Sequence, residues 1–140
     1  MDVIPAGAFG DRVRNRLRRD QVIWFVTVGD DGTPQPNPVW FLWDGADALT
    51  VYNMRTAKRL AHIDARPQVA LHFDGDGHGG DIVVLTGTAE RAPDTPPPHQ
   101  NSAYVDKYGG AMAQVSGSLE QFAAEYPVAL RIDVRRVRGH

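Results

Sequence analysis

Short apolar runs that keep meeting turn signals constrain this chain more than any other feature. The stretch QVIWFVTVGDDGTPQPNPVWFLWDG holds a run from Val22 to Val28, a turn signal at Asp30, Asp31 and Gly32, and a second run from Val39 to Trp43. Ala48 to Asn53 follows after Asp44, Gly45 and Asp47, and then come Gln68 to Phe73, Ile82 to Glu90 and Val128 to Val137. Runs of this kind, bounded by Gly, Asp and Pro, read as strands joined by tight turns. The expected fold is mainly β, of the α+β kind: a small antiparallel barrel of about six strands, in preference to a doubly wound sheet.

Short helices fit between the strands. Gly10 to Asp20 is amphipathic, with Val13 and Leu17 one turn apart and five arginines over the remaining surface. After the third strand, Leu60, Ala61 and Ile63 mark a helix that Pro67 must end, because proline disfavours helical geometry in the residue before it. The proline-rich APDTPPP is a stiff connection leading to helices at His99–Tyr108 and Ser118–Tyr126, between strands five and six, the last capped by Ser118. Residues 1–140 read as a single domain, long enough for one core.

Composition narrows the function. A net charge of −2 with 42% hydrophobic residues describes an ordinary globular protein without a polyanion-binding field, so nucleic acid is not an expected partner. The chain contains no cysteine, which excludes disulfides, thiolate metal sites and cysteine nucleophiles. The N-terminal twenty residues lack the apolar run of a signal peptide, and no stretch reaches the roughly 18 apolar residues of a membrane span. A cytoplasmic location and no membrane partner are the expectations.

Two motifs carry chemistry. In VYNMRTAKRLAHIDARP, Arg55, Thr56, Lys58 and Arg59 gather where a strand hands over to a helix. Cations on a first turn oppose the helix dipole by about 0.3 to 1 kcal/mol each, unless an anion sits among them. A phosphate there would accept hydrogen bonds from Thr56 and the free N–H groups and pair with Lys58 and Arg59, and solvated surface charge is the alternative. In PQPNPVWFLW, Pro34, Pro36 and Pro38 cannot donate to a sheet ladder, so this strand begins at an edge, where main-chain groups stay free for a planar heterocycle or simply discourage aggregation.

Other patterns fail. Gly75, Gly77 and Gly80 spell G-x-G-x-x-G but join strand to strand, so they are no dinucleotide fingerprint. The Asp74, Asp76, His78 run has Leu85 where a calcium loop needs glutamate, and His72, His78 and Asp81 read as a solvated hairpin, so no metal site is assigned.

The segments, in their order, resemble the flavin-binding split-barrel superfamily typified by pyridoxamine 5'-phosphate oxidase, and most closely its short actinobacterial branch that uses the deazaflavin coenzyme F-420. The resemblance rests on the helix, the GDDGTPQPNPVWFLWDG hairpin, VYNMRTAKRLAHIDARPQVALHF, VVLTGTAE and a basic final strand, and it covers nearly the whole chain. It implies that a basic residue about eight positions before the proline binds the cofactor phosphate, with a polar residue three further on: here Arg59 and His62. A lysine is commoner at the first place, so Arg59 beside Lys58 departs from the pattern. The resemblance puts Pro38, Val39, Trp40 and Phe41 around the ring, with Tyr52, Asn53 and Met54 on the neighbouring strand, and it implies a homodimer with cofactor sites at the subunit interface. The oxidases that name the superfamily look longer at the C-terminus, so their own activity is not expected.

The reading that follows is an oxidoreductase passing a hydride from reduced deazaflavin to a small conjugated or heterocyclic acceptor. The alternatives are an FMN-dependent enzyme on the same barrel and a non-catalytic flavin or haem binder. No catalytic acid or base is assigned, with Lys58, His62 and Tyr52 the candidates.

Overall fold

Seven strands form one antiparallel sheet in the computed structural model, which describes residues 2–140. Helix α1 (Ala8–Arg19) comes first, followed by β1 (Ile23–Val28), β2 (Pro34–Val39), β3 (Leu42–Trp43) and β4 (Ala48–Asn53). Helix α2 (Lys58–Ala65) leads into β5 (Gln68–His72) and β6 (Val83–Arg91), and a 3-10 turn (Pro98–Gln100), α3 (Ser102–Ser116) and α4 (Leu119–Glu125) precede β7 (Val128–Gly139).

The sheet order β2-β1-β5-β6-β7-β4-β3 shows how it curls. β2 and β3 lie at opposite ends of that order, yet only Trp40 and Phe41 separate them in sequence. Three residue steps span at most about 11 Å, so the two ends of the sheet must meet at this corner. That is the barrel the turn pattern implied, and the split barrel the resemblance implied. It also corrects the count of six strands: the run Val39–Trp43 is not one strand, because the chain leaves one sheet end at Val39 and joins the other at Leu42.

Period two places the core. In β1, Ile23, Phe25 and Thr27 are buried while their neighbours are half-buried, and Leu71, Leu85, Leu130 and Ile132 supply the same interior from other strands. Fully burying such a side chain contributes about 1.5 to 3 kcal/mol. The longest pairing, β6 with β7, contains a bulge between Thr86 and Gly87. There a Cβ on residue 87 would stand 1.9 Å from the Asp133 carbonyl oxygen, so only glycine lets the two strands close at that point.

α1 starts earlier than its periodicity implied, at Ala8, and its arginines are largely used within the chain. Arg12 and Arg16 both reach Asp81, and Arg16 also holds Asp20. α3 runs through Gly109 and Gly110 to Ser116, well past the expected end at Tyr108, while His99 falls in the 3-10 turn. Two glycines weaken a helix locally, but Tyr104, Tyr108 and Met112 on one face are buried against α4 and the sheet, and that packing overrides propensity. Ser118 caps α4 as expected, its hydroxyl accepting from the Gln121 N–H.

Candidate functional site

The basic cluster resolves into residues with different roles. α2 is capped by Ala57, which has no side-chain group to offer. Met54, Arg55 and Thr56 form an exposed turn ahead of it. Lys58 is exposed on the first helical turn, and that turn holds no acidic residue.

Arg59 is half-buried and oriented. Its Nε donates to Asn53 Oδ1 at 2.6 Å, and no carboxylate among the described residues pairs with it. Burial pulls its pKa below the ordinary arginine value, but a guanidinium starts so high that the cation persists. Asn53 is fully buried, and its Nδ2 donates to the carbonyls of Val51 and Val128, both at 3.0 Å. Every donor of that carboxamide is therefore committed, and Asn53 braces Arg59 from behind instead of lining the ring site as expected.

Arg59 stands where two clefts meet. The first, about 280 Å³, has Pro38, Val39 and Trp40 on one side and Tyr52 and Arg59 on another. Helices α3 and α4 close it with Tyr104, Phe122 and, just past the end of α4, Tyr126. The second, about 460 Å³, is walled by Gln35 and Asn37 of β2 and by Lys58, Arg59 and His62 of α2. Of the expected residues, the structure thus brings Pro38, Val39, Trp40, Tyr52 and Arg59 to one cleft and Lys58, Arg59 and His62 to the other.

Phe41 lines neither of these two clefts. Its ring is fully buried in the barrel core, its N–H donates to the Tyr108 hydroxyl at 3.0 Å, and its carbonyl accepts from Lys107 Nζ at 3.0 Å. Trp40 faces the other way, stacked between Tyr108 and Phe122 with ring centroids 4.8 and 5.5 Å away, and Phe122 stacks in turn on Tyr126 at 4.5 Å. A column of four aromatic rings thus backs the first cleft, each contact adding about 0.5 to 1.5 kcal/mol beyond burial.

The remaining polar groups are held in place. The Tyr52 hydroxyl donates to the Pro96 carbonyl at 2.6 Å and accepts from Asn101, and burial raises its pKa, so it is poorly set to give up a proton. His62 Nδ1 lies 3.0 Å from the buried Thr27 hydroxyl, which fixes the ring's orientation at the second cleft. Sequence reading missed Gln35 and Asn37, although their interleaving with the prolines puts both on one strand face. It also missed Tyr104, Phe122 and Tyr126, which no strand-centred motif pointed to.

The curled antiparallel sheet is a split barrel, with an aromatic cleft on it and at the cleft an arginine that no carboxylate among the described residues pairs with. The family model described as pyridoxamine 5'-phosphate oxidase matches residues 9–140, and the chain belongs to that family. Among solved structures, it is similar to an F420 reductase at 24% identity and a TM-score of 0.73, over 96% of this chain and 98% of that one. The conserved hypothetical protein Rv2991 of Mycobacterium tuberculosis is similar at 18% identity and a TM-score of 0.70, over 99% and 86% of the two chains. HutZ, the haem storage protein of Vibrio cholerae, is similar at 9% identity and a TM-score of 0.62, over 99% and 95%. No curated protein sequence matches the chain. Among the described residues, no helix is long and apolar enough to cross a membrane.

Proposed function

We propose that this protein is a deazaflavin (F-420)-dependent oxidoreductase that reduces a small conjugated or heterocyclic acceptor, with FMN as the alternative cofactor. The observation that carries the proposal is the meeting of two clefts at Arg59: an aromatic one sized for ring edges and a polar one lined with cations and amides. The residues fit a phosphorylated ring cofactor on chemical grounds. Arg59 and Lys58 are cations without carboxylate partners, and Gln35 and Asn37 add amide donors. Bound deazaflavin supplies hydride chemistry, which the side chains cannot.

The chain's own residues then have three tasks. Arg59, aimed by Asn53, and Lys58 hold the phosphate by charge-assisted hydrogen bonds. Trp40, fixed by its stacking neighbours, gives the ring a rigid wall and keeps water from it. His62, oriented by Thr27, lies beside the phosphate with Nε2 turned from its hydroxyl partner.

A cleft of about 280 Å³ lies at the small end of ligand sites, which run from roughly 300 to 1,000 Å³. A large ring would therefore need covering from outside this chain, and the proposal includes a homodimer with the two sites shared between subunits. Absorbance titration with deazaflavin and FMN, stopped-flow oxidation of the reduced forms by quinones, enones and tetrapyrroles, and light scattering test these points. The expected results are micromolar or tighter binding, oxidation of the bound cofactor faster than the free one, and a dimer. Tight binding without acceleration across the panel would support storage of the ligand in place of catalysis, and binding of neither cofactor would overturn the proposal.

A further inference from the structure

Of the 15 Lys and Arg residues in the chain, two are lysines, Lys58 and Lys107. The two residue types carry the same charge, but a lysine can lose its proton and become a nucleophile, which an arginine does not do. Lys58 walls the polar cleft beside Arg59. Lys107 lies elsewhere, in a third, open cleft of about 330 Å³ between the end of α1, β3 and α3.

The Lys107 amine is half-buried and held in place. Its Nζ donates to the Phe41 carbonyl at 3.0 Å and lies 3.8 Å from the Phe41 ring centroid. No carboxylate among the described residues pairs with it: Asp106, beside it on α3, is exposed, and Asp20, whose charge does reach it, is held by Arg16 at 2.7 Å. One carbonyl engages one N–H, and the rest of the amine is left to the cleft. Burial pulls its pKa down to about 8, so about a quarter of these amines are uncharged at pH 7.5, against roughly one in a thousand for an ordinary lysine.

The same cleft supplies what a reagent for that amine would need. Leu42 and Trp43 give it an apolar wall, and Arg18 gives it a second cation, its guanidinium 5.0 Å from the Trp43 ring centroid and without a carboxylate partner among the described residues. Bracing the Phe41 carbonyl accounts for a hydrogen-bond donor at position 107. It does not account for an amine, in a chain that otherwise uses arginine, opening on a cleft that holds an unpaired cation. We propose that Lys107 is an acylation site, taking a small acyl group from an acyl phosphate whose phosphate is held by Arg18 and whose acyl group lies against Leu42 and Trp43. The lone pair of the neutral amine attacks the carbonyl carbon, a C–N bond forms as the C–O bond to phosphate breaks, the phosphate leaves with that electron pair, and the surplus amine proton passes to water. The amide that results keeps one N–H for the Phe41 carbonyl, and the half-buried cation is gone.

The test treats the full chain at pH 7.5 with limiting acetyl phosphate or with a neutral acetyl succinimidyl ester, and follows acetylation of Lys58 and Lys107 separately by peptide mass spectrometry. The gain in free base is offset in part because a less basic nucleophile is a weaker one, so Lys107 should react with the ester about tenfold faster than Lys58, although Lys58 is the more exposed. Arg18→Gln keeps a planar group over Trp43 and removes the charge. It should slow acetyl phosphate at Lys107 about tenfold or more and leave the ester rate there unchanged. In Lys58→Arg, where Lys107 is the one lysine, full acetylation should leave the melting temperature at pH 7 equal or higher, because the cation that burial disfavours has been removed. Labelling of Lys107 by the ester no faster than Lys58 would overturn the proposal. An unchanged acetyl phosphate rate in Arg18→Gln would overturn the acyl phosphate as donor, and a lower melting temperature after acetylation would overturn the seating of the acyl group in this cleft.

Discussion

The two hydrophobic clusters of this molecule are built from different materials. The barrel interior is aliphatic with a few phenylalanines, drawn from nearly every strand and from α1 and α2: Val13, Leu17, Ile23, Leu71, Leu85 and Leu130 are typical. The second cluster, under α3 and α4, is aromatic: Tyr52, Tyr104, Tyr108 and Phe122 with Met112 and Ala129. Aliphatic side chains fill space and have nothing to say to a ligand. Aromatic ones also present flat faces and hydroxyl groups, and the aromatic cluster supplies Tyr52, Tyr104 and Phe122 to the wall of the first cleft. Under the proposed function the fold is held in one place and recognition is carried in the other, which would separate what a mutation does to stability from what it does to binding.

The sharpest way to break that separation is a cavity in the barrel. Leu85 is fully buried, and Leu85→Ala should lower unfolding free energy by about 2 to 5 kcal/mol, measured by urea denaturation. The folded fraction should still bind cofactor with unchanged affinity. A weakened affinity would show that the barrel interior reaches the site.

The converse variants are aimed at recognition, although Arg59→Ala also leaves the buried Asn53 Oδ1 without its partner and so costs some stability. Arg59→Ala should weaken cofactor binding by about 1.5 to 3 kcal/mol, the worth of a hydrogen bond to a charged group, and Lys58→Ala by less because Lys58 is exposed. Melting temperature should barely move in Lys58→Ala. Isothermal titration that returns equal dissociation constants for the unaltered protein and the double variant would remove the phosphate assignment.

Tyr108 links the clusters and so sharpens the comparison. Its hydroxyl accepts from the Phe41 N–H at 3.0 Å and donates to the Gln21 carbonyl at 2.7 Å, while its ring stacks on Trp40. Tyr108→Phe keeps the stack and strands the buried Phe41 N–H, at a cost of about 1 to 3 kcal/mol. Stability should fall while the tryptophan fluorescence of the folded state stays close to its original spectrum.

The smallest effect concerns Lys107, which sits at the border with its ammonium 3.8 Å from the Phe41 ring centroid and 5.1 Å from that of Tyr108. Burial pulls its pKa down to about 8 from 10.5, against the pull of Asp20. The folded state therefore disfavours the cation: the penalty is full below pH 8 and is relieved as pH rises from about 8 towards 10.5. Relative to Lys107→Met, the native protein should gain a few degrees or less in melting temperature between pH 7 and pH 9.5. Above about pH 10 both proteins should lose stability alike, because burial holds the Tyr104 and Tyr108 protons in the folded state and the unfolded chain loses them first.

Sequence reading found the barrel because strand patterns are local. Alternation in Ile23–Val28 and the turn at Asp30–Gly32 are encoded within a few residues, and so are the Ser118 cap and the proline edge of β2. It took the basic cluster as one group, which the structure divides, for the opposite reason. Thr56 and Arg55 lie in a turn directed outward, whereas Arg59 is turned inward by Asn53, whose own partner Val128 is far along the chain. Nothing near Phe41 in sequence says that its ring belongs to the barrel interior while its neighbour Trp40 faces the cleft.

What the sequence by itself determined is therefore most of the elements, the hairpins that tight turns join, the donorless edge that three alternating prolines must make, and the placing of cations on a helix start. These follow from covalent geometry and side-chain period, which act over a handful of residues. Tertiary structure alone decided that the ends of the sheet meet at Trp40 and Phe41, that α3 runs on through two glycines, and that a remote pair of helices completes the aromatic cleft. Those outcomes depend on burial, and burial is a property of surfaces that meet only when the whole chain has closed.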